Sequence, residues 1–272
     1  MCPNFEEFSF SETDGCLEGS VMSGHSKWST IKRKKAATDA KRGQLFTKIG
    51  RELAIAAREG GPDPDANIRL RLIMDKARAA NMPKDNVERA IRRGAGLEKG
   101  AALEEVVYEG YGAQGVALLV QVLTDNRNRA VADVRREFSR HGGSLGEVGC
   151  VAWQFDIKGY ITVEAGETDP NAVFEIAVEA GADDVELGED LIQIFTDPVE
   201  LHVVRDALSA KNVPINSAEL SKIPKATLSL DEKGTLSNMN LIDALEELDD
   251  VQQVYSNLEI SDGVMTAYEA AV

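Results

Sequence analysis

A run of lysines and arginines near the start of the chain contains the residues whose types and spacing predict chemistry. Lys27, Lys34, Lys41 and Lys48 recur every seven residues. Wherever this stretch is helical, residues seven apart return to within about 20° of one direction, so the four lysines would line one edge. Gly43 interrupts that line if it breaks the helix. Such a row can neutralise successive phosphates, which favours a nucleic acid as the partner.

An aromatic residue lies inside the basic run. Trp28 can stack on an unpaired base. In the alternative interpretation, Trp28 folds onto the neighbouring helices and the charged residues only face solvent. The candidate nucleic-acid contacts are His25, Lys27, Trp28, Lys32, Arg33, Lys34, Lys35, Lys41, Arg42, Lys48 and Arg51.

The charge of the chain is divided between segments of opposite sign. Residues 22–96 hold 18 Lys or Arg against 8 Asp or Glu, whereas the whole chain has a net charge of −16 and a pI near 4.7. Residues 1–21 hold five carboxylates and no base, and residues 97–272 hold 12 bases against 33 acids. This asymmetry is typical of a protein that binds a polyanion, and it predicts contact at one end of the molecule.

The sequence also predicts several absences. No apolar run approaches the roughly 18 residues of a membrane span, and the first 21 residues lack the features of an export or transit signal, so we expect a cytoplasmic protein without membrane contact. The three cysteines and three histidines have no metal-ligand spacing. No catalytic arrangement or phosphate-binding glycine loop is recognisable. We therefore expect no metal, no cofactor, no small-molecule substrate and no enzymatic activity.

Apolar residues at helical spacing predict three short helices in the basic module. The first helix ends at Gly60, and Asp63 or Asp65 can cap the second. The third begins near Pro83, a favourable residue for a first turn, and ends at Gly94. The module is therefore predicted to be a small helical bundle.

Past Gly96, short alternating runs and helices predict an α/β body. We expect Asp125 to cap a helix and Lys158-Gly159 to turn a hairpin. The predicted strands are 105–109, 116–123, 153–155, 160–164, a strand near Val185, 191–195, 225–230 and 251–260, and the predicted helices are 125–141, 171–180, 199–210 and 240–248.

The order of these elements predicts a discontinuous domain. Residues 97–149 supply only two strands and one helix, which do not complete an α/β domain. The strand, helix and strand that would complete it occur in residues 223–262. We infer that residues 150–222 form a second α/β domain inserted into the first, with residues 263–272 as a tail.

Several motifs, in register from Met22 to about Ile260, resemble the YebC/PmpR family. They are Gly24-His25-Ser26-Lys27-Trp28, Asp39-Ala40-Lys41-Arg42-Gly43, Asn81-Met82-Pro83-Lys84-Asp85-Asn86, Tyr108-Glu109-Gly110-Tyr111-Gly112 and Thr124-Asp125-Asn126-Arg127-Asn128-Arg129. The resemblance implies an α+β fold, in which a three-helix basic module precedes two ferredoxin-like α/β domains, the second inserted in the first. It also implies a non-catalytic role in gene expression. Members are described as DNA-binding transcriptional regulators or as ribosome-associated translation factors, and the mitochondrial translational activator of cytochrome oxidase subunit I is a relative of the second kind.

The chain departs from the family at its start. Residues 1–21 precede the usual start of the family, so they are either a misassigned start or a disordered acidic leader.

A second possible contact lies where a strand meets a helix. Arg127 and Arg129 either touch nucleic acid there or are simply exposed on a first helical turn.

The sequence predicts a non-enzymatic, monomeric nucleic-acid-binding regulator of gene expression. It acts on ribosomal RNA and the ribosome as a translation factor, or on DNA as a transcriptional regulator. The lysine-dominated run and Trp28 favour structured RNA, because a reader of duplex DNA usually directs Arg, Asn or Gln at base edges. The alternative is a protein-interaction module that binds an acidic protein through the same basic face.

Overall fold

The computed structural model describes residues 39–98, 103–166, 168–188, 191–261 and 264, and side-chain surroundings from Arg42 onward. The predictions for the leader and for the basic run up to residue 38 lie outside these residues. In chain order the elements are α1 (Asp39–Gly60), α2 (Ile68–Ala79), α3 (Lys84–Gly94), β1 (Glu104–Tyr111), β2 (Ala117–Thr124), α4 (Arg127–Arg140), β3 (Ser144–Leu145), β4 (Phe155–Glu164), α5 (Pro170–Glu179), β5 (Asp184–Leu187), β6 (Leu191–Thr196), α6 (Leu201–Ala210), β7 (Ile215–Pro224), β8 (Leu228–Ser229), α7 (Glu232–Glu246), β9 (Val251–Ser256) and β10 (Leu258–Glu259).

The three predicted N-terminal helices form a bundle around one apolar cluster. Ile49 and Leu53 of α1 pack with Leu70 of α2 and Ala90 of α3, and each of these side chains is buried. Burial of apolar surface between amphipathic faces supplies most of the stability of such short helices. Helix α1 continues through Gly43, so this glycine does not break the helix.

The predicted cap of α2 was wrong. Asn67 is the N-cap, because its Oδ1 accepts the Leu70 N–H at 3.0 Å. The carboxylate of Asp63 instead accepts the Asp65 N–H, which shapes the preceding turn. Asn67 is buried, and its amide also donates to the carbonyl oxygens of Ala56 and Gly61, both at 2.8 Å. One side chain therefore satisfies backbone groups on both sides of the α1–α2 turn.

The first sheet of the body has the strand order β3-β1-β2-β9. Helices α4 and α7 cover one face, where Val134 and Phe138 of α4 pack with Leu241 of α7 and Val122 of β2. The sheet therefore joins strands that are far apart in the chain.

Two predictions about the helices on this sheet were wrong. The N-cap of α4 is Asn126, whose Oδ1 accepts the Arg129 N–H at 3.1 Å, and not Asp125. Helix α7 begins eight residues earlier than expected, because Asp231 caps it through the Gly234 N–H at 3.0 Å. In α4 the residue next to the predicted cap met the geometric requirement, and in α7 an aspartate nine residues before the predicted start did so.

The second sheet has the order β5-β6-β4-β7, built from the sequence β-α-β-β-α-β. This is the ferredoxin-like arrangement. Its core packs Ile161, Ile192 and Ile194 against Val204 of α6. Strand β7 was not predicted, although it forms one edge of the sheet.

The predicted hairpin around Lys158-Gly159 was wrong, because β4 is one continuous strand that pairs with β6 and with β7. Gly159 is there for packing and not for a turn. A Cβ at this position would lie 2.2 Å from Thr196 Oγ1 and 2.9 Å from Leu201 Cβ. The glycine therefore permits α6 to approach the sheet closely.

The predicted fold class is confirmed: the chain is α+β, with N-terminal helices followed by two sheet-containing units, the second inserted in the first. We propose that the unit boundaries are those expected from sequence, residues 97–149 plus 223–262 and residues 150–222. Across the described part of the chain, no helix combines the length and apolar character needed to cross a membrane.

Candidate nucleic-acid interface

Two candidate contact residues on α1 lie against the end of α7 and the loop that follows it. Lys48 Nζ donates to the Glu246 carbonyl oxygen at 2.7 Å, and the Arg51 guanidinium donates to the Asp249 carbonyl oxygen. The last carbonyls of a helix lack partners within the helix and carry the negative end of its dipole, so cations there are stabilising. Lys48 and Arg51 therefore attach the basic module to the acidic body. Among the other candidates on α1, Arg42 is exposed, and the side chain of Lys41 lies outside what is described.

Asp250 connects Arg51, a candidate contact of the basic module, to Arg129, which the sequence assigned to a second possible nucleic-acid contact. The Asp250 carboxylate accepts from Arg129 Nη2 at 2.7 Å and from Thr124 Oγ1 at 2.9 Å, and Arg51 Nη1 lies 3.2 Å away. The Asp250 side chain is only 11% exposed. Its hydrogen bond to Arg129, followed by that of Asp125, raises the pKa of the Arg129 guanidinium. The arginines of the two predicted contacts thus meet at one nearly buried carboxylate.

Arg127 is the more accessible of the two arginines on the first turn of α4. Its side chain is 64% exposed and pairs with Glu104 at 2.6 Å. The Tyr108 hydroxyl donates to the Arg127 carbonyl oxygen at 3.3 Å, which fixes the backbone there. An exposed ion pair of this kind contributes about 1 kcal/mol or less. Arg127 can therefore exchange Glu104 for a phosphate at little cost.

Two cations of α2 pair with carboxylates of α1, and Arg69 also links the basic module to β1 of the body. Arg69 bridges Glu59 at 2.7 Å and Glu105 of β1 at 2.9 Å. Burial lowers the pKa of Arg69, but the hydrogen bond and charge of Glu105 outweigh it, so that the pKa is raised overall. Lys76 pairs with Glu52 at 3.2 Å. Most of the positive charge of α2 is therefore compensated within the molecule.

Helix α3 carries a basic face that the sequence analysis did not include among the contacts. Lys84, Arg89, Arg92 and Arg93 are exposed, and within the described ranges only Arg92 forms an ion pair, with Glu98 at 3.4 Å. The helical pattern could have revealed this face, because the arginines lie opposite the apolar Val87, Ala90 and Ile91.

For the residues described, no group of three or more His, Cys, Asp or Glu side chains is arranged to hold a metal ion.

Comparison with known proteins covers almost the whole described chain. Residues 26–97 match the TACO1/YebC protein N-terminal domain, and residues 103–258 match the TACO1/YebC second and third domain. The boundary between the two matches falls at the end of α3, where the helical bundle gives way to the first sheet.

Individual relatives extend this similarity. The chain is 53% identical over 240 residues to a "Probable transcriptional regulatory protein" of Trichlorobacter lovleyi, which covers 88% of this chain and 97% of the relative. It is 51% identical to a protein of the same name from Herpetosiphon aurantiacus, and the match covers 91% of this chain and 98% of that protein. The crystal structure of a conserved hypothetical protein from Aquifex aeolicus superimposes with a TM-score of 0.81 at 48% identity, covering 87% of this chain and 98% of that one. These matches confirm the resemblance predicted from the motifs.

Proposed function

Because the chain belongs to the TACO1/YebC family, we propose that it is a non-enzymatic, cytoplasmic and monomeric regulator of gene expression that binds nucleic acid through its basic module. Relatives about half identical to it are named probable transcriptional regulatory proteins. The observation that carries the binding proposal is the concentration of 18 Lys or Arg within residues 22–96 of an otherwise acidic chain. The acidic body would repel a polyanion, so binding is centred on the module and on the adjacent edge of the body where Arg127 lies.

Lys48 and Arg51 are engaged with the end of α7 and the loop after it, and we assign them mainly to attachment of the module. We assign the phosphate contacts to the candidates from His25 to Arg42 on the basis of the sequence alone, supported by the exposed cations of α3. Arg127 adds a contact beside the same junction.

We propose RNA of the ribosome as the working target. The basic run has Arg33 and Arg42 as its only arginines between Lys27 and Lys48, and lysine is a flexible point charge suited to phosphates. Trp28 can stack only where a base is already unpaired, which structured RNA offers and duplex DNA does not. The competing role, suggested by the name of the relatives, is binding to promoter DNA.

The proposal is tested by the salt dependence of binding to RNA. Each phosphate contact contributes about 0.7 to 0.9 to the slope of log K against log salt concentration. Changing Lys34 and Lys41 together to Ala should flatten the slope by about 1.4 to 1.8. The matched control changes Lys211 and Lys233, two exposed lysines of the acidic body, and should leave the slope unchanged.

Crosslinking in cells, followed by sequencing of the attached nucleic acid, separates the possible partners. Recovery of ribosomal RNA with the wild-type protein, and of less ribosomal RNA with Trp28→Ala, supports the proposed target. Recovery of discrete promoter fragments without ribosomal RNA would instead show that the protein binds promoter DNA. Failure to retain any RNA or DNA at moderate salt, with capture of an acidic protein that depends on Lys34 and Lys41, would favour the protein-interaction alternative.

A further inference from the structure

One edge of the inserted unit is acidic in sequence and in position. Residues 164–190, which run from the end of β4 through α5 and β5, hold ten Asp or Glu and no Lys, Arg or His. Strand β5 is one outer strand of the second sheet, and β7 is the other. The basic module lies on the side of β7, where Lys76 of α2 is 4.0 Å from Glu219. The acidic edge is therefore on the opposite side of the sheet from the basic module.

Helix α5 carries two glutamates whose charges are not balanced by a neighbouring cation. Glu175 and Glu179 are exposed and one turn apart, and neither forms an ion pair with any described residue. Like charges four residues apart destabilise a helix, and Glu179 lies in the last turn, at the negative end of the helix dipole. The helix itself contains no basic residue. A cation supplied by another molecule would relieve both unfavourable effects.

Exposed apolar side chains lie beside these glutamates. Phe174 and Val178, again one turn apart on α5, are 44% and 49% exposed, although the helix also buries a separate apolar face against the sheet. Leu187 of β5 is 43% exposed. It lies on the same side of the sheet as α5, because Val185, two residues earlier, packs into the core that α5 covers. Large apolar side chains grouped on a surface in this way mark interaction sites.

We propose that the α5 surface, formed by Phe174, Val178, Leu187, Glu175 and Glu179, docks a cationic amphipathic helix of a protein partner. Such a helix would lay its apolar side on the three apolar side chains and direct Lys or Arg at the two glutamates. A nucleic acid does not fit here, because the ten carboxylates of this edge would repel its phosphates. The inference goes beyond the proposed function, since it assigns a partner of opposite charge to a different unit.

The test measures binding of the full-length chain to two fluorescent peptides of about 18 residues, long enough for several helical turns. Both contain the same leucines and lysines. In the amphipathic peptide the leucines form one face of a helix, and in the scrambled peptide they form no face. We expect about tenfold tighter binding of the amphipathic peptide, because only its apolar face can cover Phe174 while its lysines reach the glutamates. Fluorescence anisotropy at about 0.15 M salt, which screens unspecific attraction, gives this preference.

Two variants remove the α5 surface by different means. Phe174→Ser removes the largest apolar side chain, and Glu175→Gln combined with Glu179→Gln removes both charges while keeping the shape. Each should lower the affinity for the amphipathic peptide at least about threefold. Thermal unfolding identifies a variant that fails to fold. The glutamine variant then decides, because both of its positions are exposed.

The matched controls make the same changes in the other unit of the body. Val148→Ser replaces a valine that is 93% exposed, and Glu147→Gln combined with Glu232→Gln removes two exposed carboxylates. Both controls should keep the wild-type affinity for the amphipathic peptide. They separate docking on α5 from attraction by the net charge of the chain.

Weaker binding of the amphipathic peptide by the α5 variants, with wild-type binding by both controls, supports the inference. Equal binding of the two peptides, a folded α5 variant with wild-type affinity, or an equal loss in the controls would overturn it. A dimer in sedimentation velocity that Phe174→Ser dissociates would assign the surface to a second copy instead. Tighter peptide binding after Lys34 and Lys35 are both changed to Ala would assign it to the chain's own basic run. RNA binding should be unchanged in the α5 variants, so the proposed function does not depend on these results.

Discussion

Arg51 and Asp250 meet where the basic module rests on the acidic body, with Arg51 Nη1 3.2 Å from Asp250 Oδ1. The other carboxylate oxygen accepts from Arg129 and from Thr124. One aspartate therefore joins α1, the start of α4 and the loop after α7. Since two arginines converge on it, the carboxylate positions two side chains whose sequence context suggested nucleic-acid contact.

Replacing Asp250 with Asn should destabilise the protein by about 1 to 3 kcal/mol. The amide keeps the shape of the carboxylate, but it leaves both arginines without their shared counterion and brings an N–H₂ group toward donors. Chemical denaturation measures the loss. Asp249→Asn is the control, since Asp249 is exposed and contributes its backbone carbonyl, and its stability should stay within about 0.5 kcal/mol of the wild type. Equal effects of the two substitutions would contradict the role of the Asp250 carboxylate.

Two helical glycines of the basic module should respond to alanine in opposite directions. At Gly94 an added Cβ would lie 2.0 Å from the Ala54 carbonyl oxygen, so Gly94→Ala must separate α1 from α3 and should cost about 2 kcal/mol or more. At Gly43, inside α1, the same Cβ meets nothing within 4 Å. Gly43→Ala should therefore stabilise the chain by about 0.5 to 1 kcal/mol, because alanine is the better helix former. Melting temperatures that fall in both variants would contradict the second expectation.

Periodicity predicted the elements better than the contacts between them. Apolar spacing located all three N-terminal helices, because Ile49, Leu53 and Leu70 had to share a core. It could not select Asn67 over Asp63 as a cap, since the choice depends on which amide group reaches both Ala56 and Gly61. Local sequence supplies several polar residues before a helix, and only the folded turn selects one.

Glycines and charged residues were harder still to interpret. Gly159 resembled a turn but permits the close packing of Leu201, and Gly110 lies within β1, where a Cβ would approach Phe138 and the Ser144 carbonyl oxygen. Arg129 pairs with the nearby Asp125 at 2.8 Å, a contact that the i, i+4 spacing could indicate, but its other partner, Asp250, is 121 residues away and no local pattern indicated it. Close approach and charge pairing across the fold are properties of the tertiary structure.

Glu109 should make stability depend on acid pH. Its Oε1 accepts the Gly149 N–H at 2.6 Å, and its Oε2 accepts the N–H groups of Val151 and Ala152, both at 2.8 Å. Burial raises the pKa of Glu109, but these three donors and the charge of Lys222 together hold the pKa below its ordinary value of 4.5. The stabilisation is therefore present above about pH 4.5 and is lost as the pH falls through the lower pKa of the folded state.

The matched comparison for this prediction uses two glutamates of the same region. Glu109→Gln should be less stable than the wild type at neutral pH and should lose less of its remaining stability between about pH 5 and pH 3. Glu147→Gln, in the loop that Glu109 binds, removes the same charge at an exposed position and should follow the wild-type pH profile. Denaturation midpoints at a series of pH values give the profiles. Parallel profiles for Glu109→Gln and the wild type would show that this carboxylate does not titrate in the window.

Lys48 and Lys34 should separate attachment of the module from binding of its ligand. Lys48 Nζ donates to the Glu246 carbonyl oxygen at 2.7 Å, so Lys48→Ala should destabilise the chain by about 1 kcal/mol. If Lys48 is committed to that carbonyl, its loss should change the slope of log K against log salt by less than about 0.3. Lys34→Ala should give the reverse result, with an unchanged melting temperature and a slope flatter by about 0.7 to 0.9, one phosphate contact. Binding isotherms at several salt concentrations, measured beside melting curves, make both comparisons. If Lys48→Ala instead flattens the slope by about 0.7 to 0.9, the value for one phosphate contact, then Lys48 leaves the Glu246 carbonyl to bind the nucleic acid. In that case the position of α1 against α7 would change on binding.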